Sequence, residues 1–185
     1  MQRQAIYADP EWNDGDCLEL TNSRGLNVAR QIGMVTYRTA KAYDVKFGRA
    51  TKNDGTDGTS TNDPPYGKSA KWQVKNYLEY QGDKFLSRFD PITYVKLTEQ
   101  MDSHDVGRGR GGVSAALKTL KMPALVIGID SDVLYPLHEQ VALYEGLGSE
   151  EKEFLTIRSD AGHDGFLLEQ EAVGAAVTGF LEKLD

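Results

Sequence analysis

The sequence of 185 residues holds one cysteine, three histidines and no G-x-S-x-G turn. A single thiol excludes an internal disulfide framework and fits a reducing compartment, so the expected location is the cytoplasm. Cys17 stands beside Asp14, Asp16 and Glu19, and neighbouring carboxylates raise a thiol pKa, which argues against a nucleophilic role. Positive charge is scarce. Lys and Arg total 21 against 28 Asp and Glu, a net charge of −7, which excludes the basic face a nucleic-acid partner requires. No run of about 18 apolar residues is present, so no membrane span is expected. The first six residues, Met1-Gln2-Arg3-Gln4-Ala5-Ile6, lack the apolar core of a signal peptide. Neither a metal nor a bound cofactor is expected.

What is present concentrates near the C-terminus. The apolar run Ala124-Leu125-Val126-Ile127-Gly128-Ile129 leads into Asp130-Ser131-Asp132. A β-like run, Glu153-Phe154-Leu155-Thr156-Ile157, leads into Ser159-Asp160-Ala161-Gly162-His163-Asp164. A strand apolar on both faces is the mark of a parallel strand covered by helices, and a helical pattern after Pro136 joins the two runs. An acid after one strand and a histidine after the next is the order in which an α/β-hydrolase supplies the second and third members of a Ser…Asp…His triad.

The rest reads as helical. Asn22 or Ser23 can cap a helix to about Val35, with Leu26, Ala29, Arg30 and Gly33 at helical spacing. Further helices are expected over Ala40 to Phe47, through Trp72, Val74, Tyr77, Leu78 and Tyr80, and from Pro91 with Ile92, Val95, Leu97 and Met101 as its apolar side. Residues 50 to 69, rich in Gly, Thr, Asn, Asp and Pro, read as a flexible surface insertion. Gly107-Arg108-Gly109-Arg110-Gly111-Gly112 reads as a mobile turn, followed by helices from Val113 to Leu120 and from Gln170 to Leu184. The division expected is a helical lid over 1–120 and a β/α portion over 121–185. A parallel pair alone leaves two open edges, so further strands are expected ahead of Met1, and the chain alone is expected not to form a stable core.

Several strings resemble homoserine O-acetyltransferases of the α/β-hydrolase superfamily. They are Gln2 to Ile6 with Ala8-Asp9-Pro10-Glu11-Trp12, Gly25 to Arg38 (GLNVARQIGMVTYR), Tyr77 to Asp90 (YLEYQGDKFLSRFD), Ser103 to Gly112 (SHDVGRGRGG), Ser131 to Pro136 (SDVLYP) and Gly162 to Leu167 (GHDGFL). The resemblance spans the chain apart from the 50–69 insertion. It implies the C-terminal part of an α/β-hydrolase fold, the last two parallel strands with flanking helices, preceded by a helical lid. It also implies transfer of an acetyl group from acetyl-CoA, the acyl donor, to the side-chain hydroxyl of L-homoserine in methionine biosynthesis. The same resemblance implies a serine in an N-terminal half that carries the acyl group, and a homodimer contact through the lid helices.

By position in those strings, His163 matches the general base and Asp132 the carboxylate that orients it. Asp164 matches a residue contacting the homoserine amino group, and Arg38 one binding its carboxylate, although Arg38 reads equally as a surface charge at a helix end. Histidine suits the base because its pKa lies near neutrality, and arginine suits the carboxylate through bidentate pairing. Asp130 competes with Asp132 for the acid. His104 reads as ordering its turn and His138 as solvated. Arg108 and Arg110 suit either CoA phosphates or Asp102 and Asp105. The nucleophile is not among these residues, so the chain alone is expected to be inactive. The alternatives are an esterase of the same fold, a homoserine or serine O-succinyltransferase, and a non-catalytic fragment acting as a dimerisation module.

Overall fold

A computed structural model of the chain describes residues 1–16, 22–51 and 72–184. Cys17 and the expected insertion beyond Thr51 lie outside the described residues. In chain order the elements are α1 (Gln2–Tyr7), a 3-10 turn (Pro10–Gly15), α2 (Arg24–Thr36), α3 (Ala40–Phe47), α4 (Gln73–Leu86) and α5 (Pro91–Ser103). They continue with α6 (Val113–Lys118), β1 (Ala124–Ile129), α7 (Leu137–Gly146), β2 (Lys152–Ile157), a 3-10 turn (Gly162–Asp164), α8 (Gly165–Leu168) and α9 (Gln170–Leu181). Two units emerge. One comprises Met1–Val35 and Tyr43–Gln100, the other Thr36–Ala42 and Met101–Asp185.

The first unit is built on the crossing of α1 with α2. Ile6, Leu26, Ala29 and Val95 are buried together, with Trp12, Phe85, Leu86, Phe89 and Tyr94 packed around them. Phe85 stacks on Phe89 at 5.1 Å between centroids, and Tyr94 meets Phe85 edge-on at 5.8 Å, both favoured ring geometries. Gly25 lets the helices touch: a Cβ there would lie 2.5 Å from the Ala5 carbonyl oxygen and 2.7 Å from Ile6 Cα.

The buried carboxylate of Asp9 satisfies the start of α2. Its Oδ2 accepts from the Gly25 amide at 2.6 Å and from Ser23 Oγ at 2.9 Å, and its Oδ1 accepts from the Glu11 amide at 3.2 Å. Ser23 Oγ in turn accepts from the Leu26 amide at 3.0 Å, the N-cap bond that Ser23 promised in the sequence. Burial by itself would raise the Asp9 pKa. The hydrogen bonds from Gly25, Glu11 and Ser23, with the nearby charge of Arg24, override it and hold the pKa below the ordinary value. On α2 and α4, Asn27 Nδ2 donates to Asp83 Oδ1 at 2.7 Å, and Gly82 leaves the room that the Asn27 side chain occupies.

Two expected helix faces differ. α4 buries Gly82 and leaves Tyr80 exposed. α5 buries Pro91 and Val95 while Leu97 and Met101 are exposed, because Pro91 and Val95, four apart, form the inward row, and Leu97 and Met101, also four apart, form a second row turned well away from it.

In the second unit β1 and β2 are parallel, with Val126 opposite Phe154 and Ile129 opposite Ile157. α7 makes the crossover between them, and α7 and α9 both pack on the pair. Two parallel strands with flanking helices are what the resemblance implies for the C-terminal part of an α/β-hydrolase fold. Gly128 faces Leu137, whose side chain stands where a Cβ would project. Lys152 Nζ closes the end of α7, donating to the carbonyls of Tyr144 and Leu147 at 2.8 Å each and of Glu145 at 3.3 Å. Such a cation complements the helix C-terminus. α9 ends at Leu181, short of the expected Leu184, and α6 at Lys118. The expected mobile turn is internally bonded: Asp105 Oδ1 accepts from the Gly107 amide at 2.8 Å, and Arg108 donates to the Ser103 carbonyl at 2.7 Å.

Candidate active site

The tips of β1 and β2 lie side by side because the strands are parallel and in register, so the loops that follow meet. Asp132 Oδ2 accepts from His163 Nδ1 at 2.9 Å. A carboxylate can only accept, so Nδ1 carries the proton, and in the neutral ring Nε2 presents a lone pair. Asp132 Oδ1 accepts from the amides of Leu134 at 2.8 Å and Tyr135 at 2.9 Å. Both carboxylate oxygens are thus committed, and the ring has one favoured orientation. The Asp132 side chain is 8% exposed and that of His163 24%, so the pair is shielded while the imidazole stays reachable.

Three aromatic rings surround the imidazole: Tyr135 at 5.2 Å, Phe166 at 5.3 Å and Tyr37 at 5.8 Å between centroids. Tyr37 belongs to the short segment Thr36–Ala42, which is part of the unit that carries the strands. Its carbonyl accepts from the Asp164 amide at 3.3 Å. The next residue, Arg38, donates from Nε to Asp164 Oδ2 at 2.8 Å, with the two side chains 18% and 14% exposed. Thr39 Oγ1 donates to the Asp160 carbonyl, and Lys41 Nζ pairs with Asp160 Oδ2 at 2.6 Å. The loop bearing His163 is therefore held by four residues of this segment, Tyr37, Arg38, Thr39 and Lys41. Gly162, with φ at +70°, is required here, since a Cβ would lie 2.9 Å from the Tyr37 carbonyl oxygen.

All four sequence candidates come together in this one place: Asp132 with His163, and Arg38 with Asp164. Asp130 separates from Asp132, since its Oδ1 accepts from the Ser159 amide at 3.0 Å and ties the loops together. His138 and His104 are both exposed. Arg110 donates to the Val106 carbonyl at 3.3 Å. The sequence reading missed the rings of Tyr37, Tyr135 and Phe166, although each lies within one of the strings quoted above. It also missed the 3-10 turn and α8 after Ala161, which put His163 on a short helical turn.

The chain is similar in sequence and fold to known proteins. Among the curated relatives, a homoserine O-acetyltransferase of Nocardia farcinica is 47% identical over 176 residues, covering 94% of this chain and 43% of that protein. One from Carboxydothermus hydrogenoformans is 40% identical over 183 residues, covering 97% of this chain and 47% of that protein. The chain belongs to the homoserine O-acetyltransferase family. It spans about half the length of the curated homoserine O-acetyltransferases it matches. Its fold is shared by the crystal structure of the homoserine O-acetyltransferase from Bacillus anthracis, with a TM-score of 0.79 at 20% identity over 97% of this chain and 47% of that one. The esterase E22 shares it too, with a TM-score of 0.73 at 19% identity over 97% of this chain and 48% of that one. No protein-family model matches the chain. Among the described residues no helix is long and apolar enough to cross a membrane.

Proposed function

We propose that these residues serve acetyl transfer from acetyl-CoA to L-homoserine as its general base and its amino-acid recognition site. The observation that carries the reading is the 2.9 Å contact between Asp132 and His163 at the tips of adjacent strands, in a chain 40–47% identical to homoserine O-acetyltransferases. The attacking hydroxyl belongs to a serine in a G-x-S-x-G-like turn, which these 185 residues do not contain.

In this reading His163 Nε2 takes the serine proton as Oγ attacks the thioester carbonyl. The imidazolium, stabilised by Asp132, returns that proton to the departing CoA thiolate. Nε2 then takes the proton of the homoserine hydroxyl as that oxygen attacks the acetyl-serine, and returns it to the freed serine. Arg38 and Asp164 suit a zwitterion. Their mutual bond uses Nε of the guanidinium, so its two terminal nitrogens form a bidentate face for the substrate carboxylate. Asp164 Oδ1 faces the ammonium. Water as acceptor would need neither charge.

The test joins the chain to the nucleophile-bearing segment of a relative and measures acetyl transfer and acetyl-CoA cleavage separately. Asp132→Asn is expected to lower turnover by roughly 10⁴-fold, the cost of the wrong imidazole tautomer in a Ser-His-Asp enzyme. Asp164→Ala and Arg38→Ala are expected to abolish homoserine acetylation while acetyl-CoA cleavage persists. Full transfer by Asp132→Asn, or equal loss of both reactions in the Asp164 and Arg38 variants, would overturn the reading.

A further inference from the structure

Two loops from different strands must hold Asp132 and His163 in register, and the pair's own hydrogen bond cannot do this alone. The side chain best placed to do it is Ser131. Its Oγ donates to the Ser159 carbonyl and accepts from the Gly162 amide at 3.0 Å. A hydroxyl has one proton to donate and lone pairs to accept, and here both roles are used across the gap between the loops. The placement along the chain matters as much as the bonds. Ser131 immediately precedes Asp132, and Gly162 immediately precedes His163. One oxygen therefore links the backbone beside each partner.

The surrounding bonds support the same task at one remove. Asp130 Oδ1 accepts from the Ser159 amide at 3.0 Å, and Ser159 Oγ donates to Glu169 Oε1 at 2.8 Å and accepts from the Ala161 amide at 3.1 Å. These hold the second loop to the first and to the start of α9. Among these side chains Ser131 is the one bonded to the residue adjoining His163 while itself adjoining Asp132. The turn it grips is also held just beyond His163, where the Asp164 amide donates to the Tyr37 carbonyl at 3.3 Å.

We infer that Ser131 is a positioning residue: its hydroxyl fixes the approach of His163 Nδ1 to Asp132 and so selects the Nδ1–H tautomer. The inference rests on reading this pair as the acid–base couple, but its test does not use acyl transfer, so either can fail alone. The readout is the imidazole nitrogen spectrum of the 15N-labelled chain, joined as above to an unlabelled nucleophile-bearing segment. Three histidines are present, and His163→Asn identifies the ring signals by their disappearance. The native chain is expected to show His163 as a single Nδ1–H tautomer. Ser131→Ala is expected to show both tautomers, and Ser131→Thr, which keeps the hydroxyl, to restore the single one. A merely structural tie would lower the melting temperature in Ser131→Ala and leave the tautomer unchanged, which would overturn the inference. So would equal tautomer mixing in Ser131→Ala and Ser131→Thr. A wild-type measurement stands apart from any variant. The Gly162 amide should exchange slowly with deuterium, and exchange as fast as that of an exposed loop amide would also overturn it.

Discussion

Replacing Gly25 with alanine opposes two effects whose sizes differ enough to decide the outcome. Alanine is the better helix former, and the exchange within a helix is worth at most about 1 kcal/mol. Against that stands the crossing of α1 and α2. The new Cβ would lie 2.5 Å from Ala5 O, 2.7 Å from Ile6 Cα and 2.9 Å from Asp9 Cβ. The first two are backbone atoms and cannot swing aside, so α1 must move as a whole. Overpacking of this kind costs typically about 1–3 kcal/mol. The displacement also stretches the bond from the Gly25 amide to the Asp9 carboxylate, 2.6 Å long, and hydrogen bonds to charged groups contribute about 1.5–3 kcal/mol. The net loss is about 2–4 kcal/mol. At roughly 2–4 °C per kcal/mol for a chain of this size, Gly25→Ala should lower the melting temperature by about 10 °C in far-UV circular dichroism. Gly174 supplies the control. It lies within α9, and a Cβ there meets no atom within 4 Å, so Gly174→Ala should raise the melting temperature slightly, following the helix-propensity gain alone. A Gly25→Ala chain that melts at or above the parent temperature would refute the argument from close approach.

Asp9 should govern part of the acid limb of stability. Its pKa in the folded chain lies below the ordinary 3.8, so the unfolded state binds its proton first as pH falls. The stabilisation is present in full above the ordinary value and is lost as pH drops through the folded pKa. Urea midpoints measured from pH 6 downward should fall less steeply in Asp9→Asn than in the parent, from a lower starting midpoint, and parallel curves would contradict the assignment. Lys152→Met should cost about 1–2 kcal/mol by urea unfolding, because it removes the cation that closes α7 onto three carbonyls. Lys152→Arg should not restore that stability, since a planar guanidinium cannot aim three donors as an ammonium does, and full recovery by arginine would count against the geometry described.

Much of the fold was legible in the chain. α3 covers Ala40–Phe47 and β1 covers Ala124–Ile129, matching the sequence expectation at both ends. The cues there are local: a proline at the start of α5, a serine ahead of α2, an unbroken apolar run in β1. The outward positions of Tyr80, Leu97 and Met101 were not legible, because an apolar side chain on a helix does not name the surface it will meet. The recognition strings acquire physical meaning only in three dimensions. Asp9 in the first string and Gly25 in the second are joined by one hydrogen bond, and Asn27 of the second packs at Gly82 of the third.

The linear order of residues determined which groups are available: one carboxylate and one imidazole placed after successive parallel strands, and an arginine and an aspartate far apart in the chain. The sequence favoured Asp132 over Asp130 only through its position in the SDVLYP string, because two positions apart on one loop the carboxylates are chemically alike. Folding separates them by aiming one at the Ser159 amide and the other at His163. Chain order alone could not bring Arg38 to Asp164, 126 positions away. That meeting depends on the Thr36–Ala42 segment joining the unit that carries the strands, and only packing between distant parts of the chain decides it.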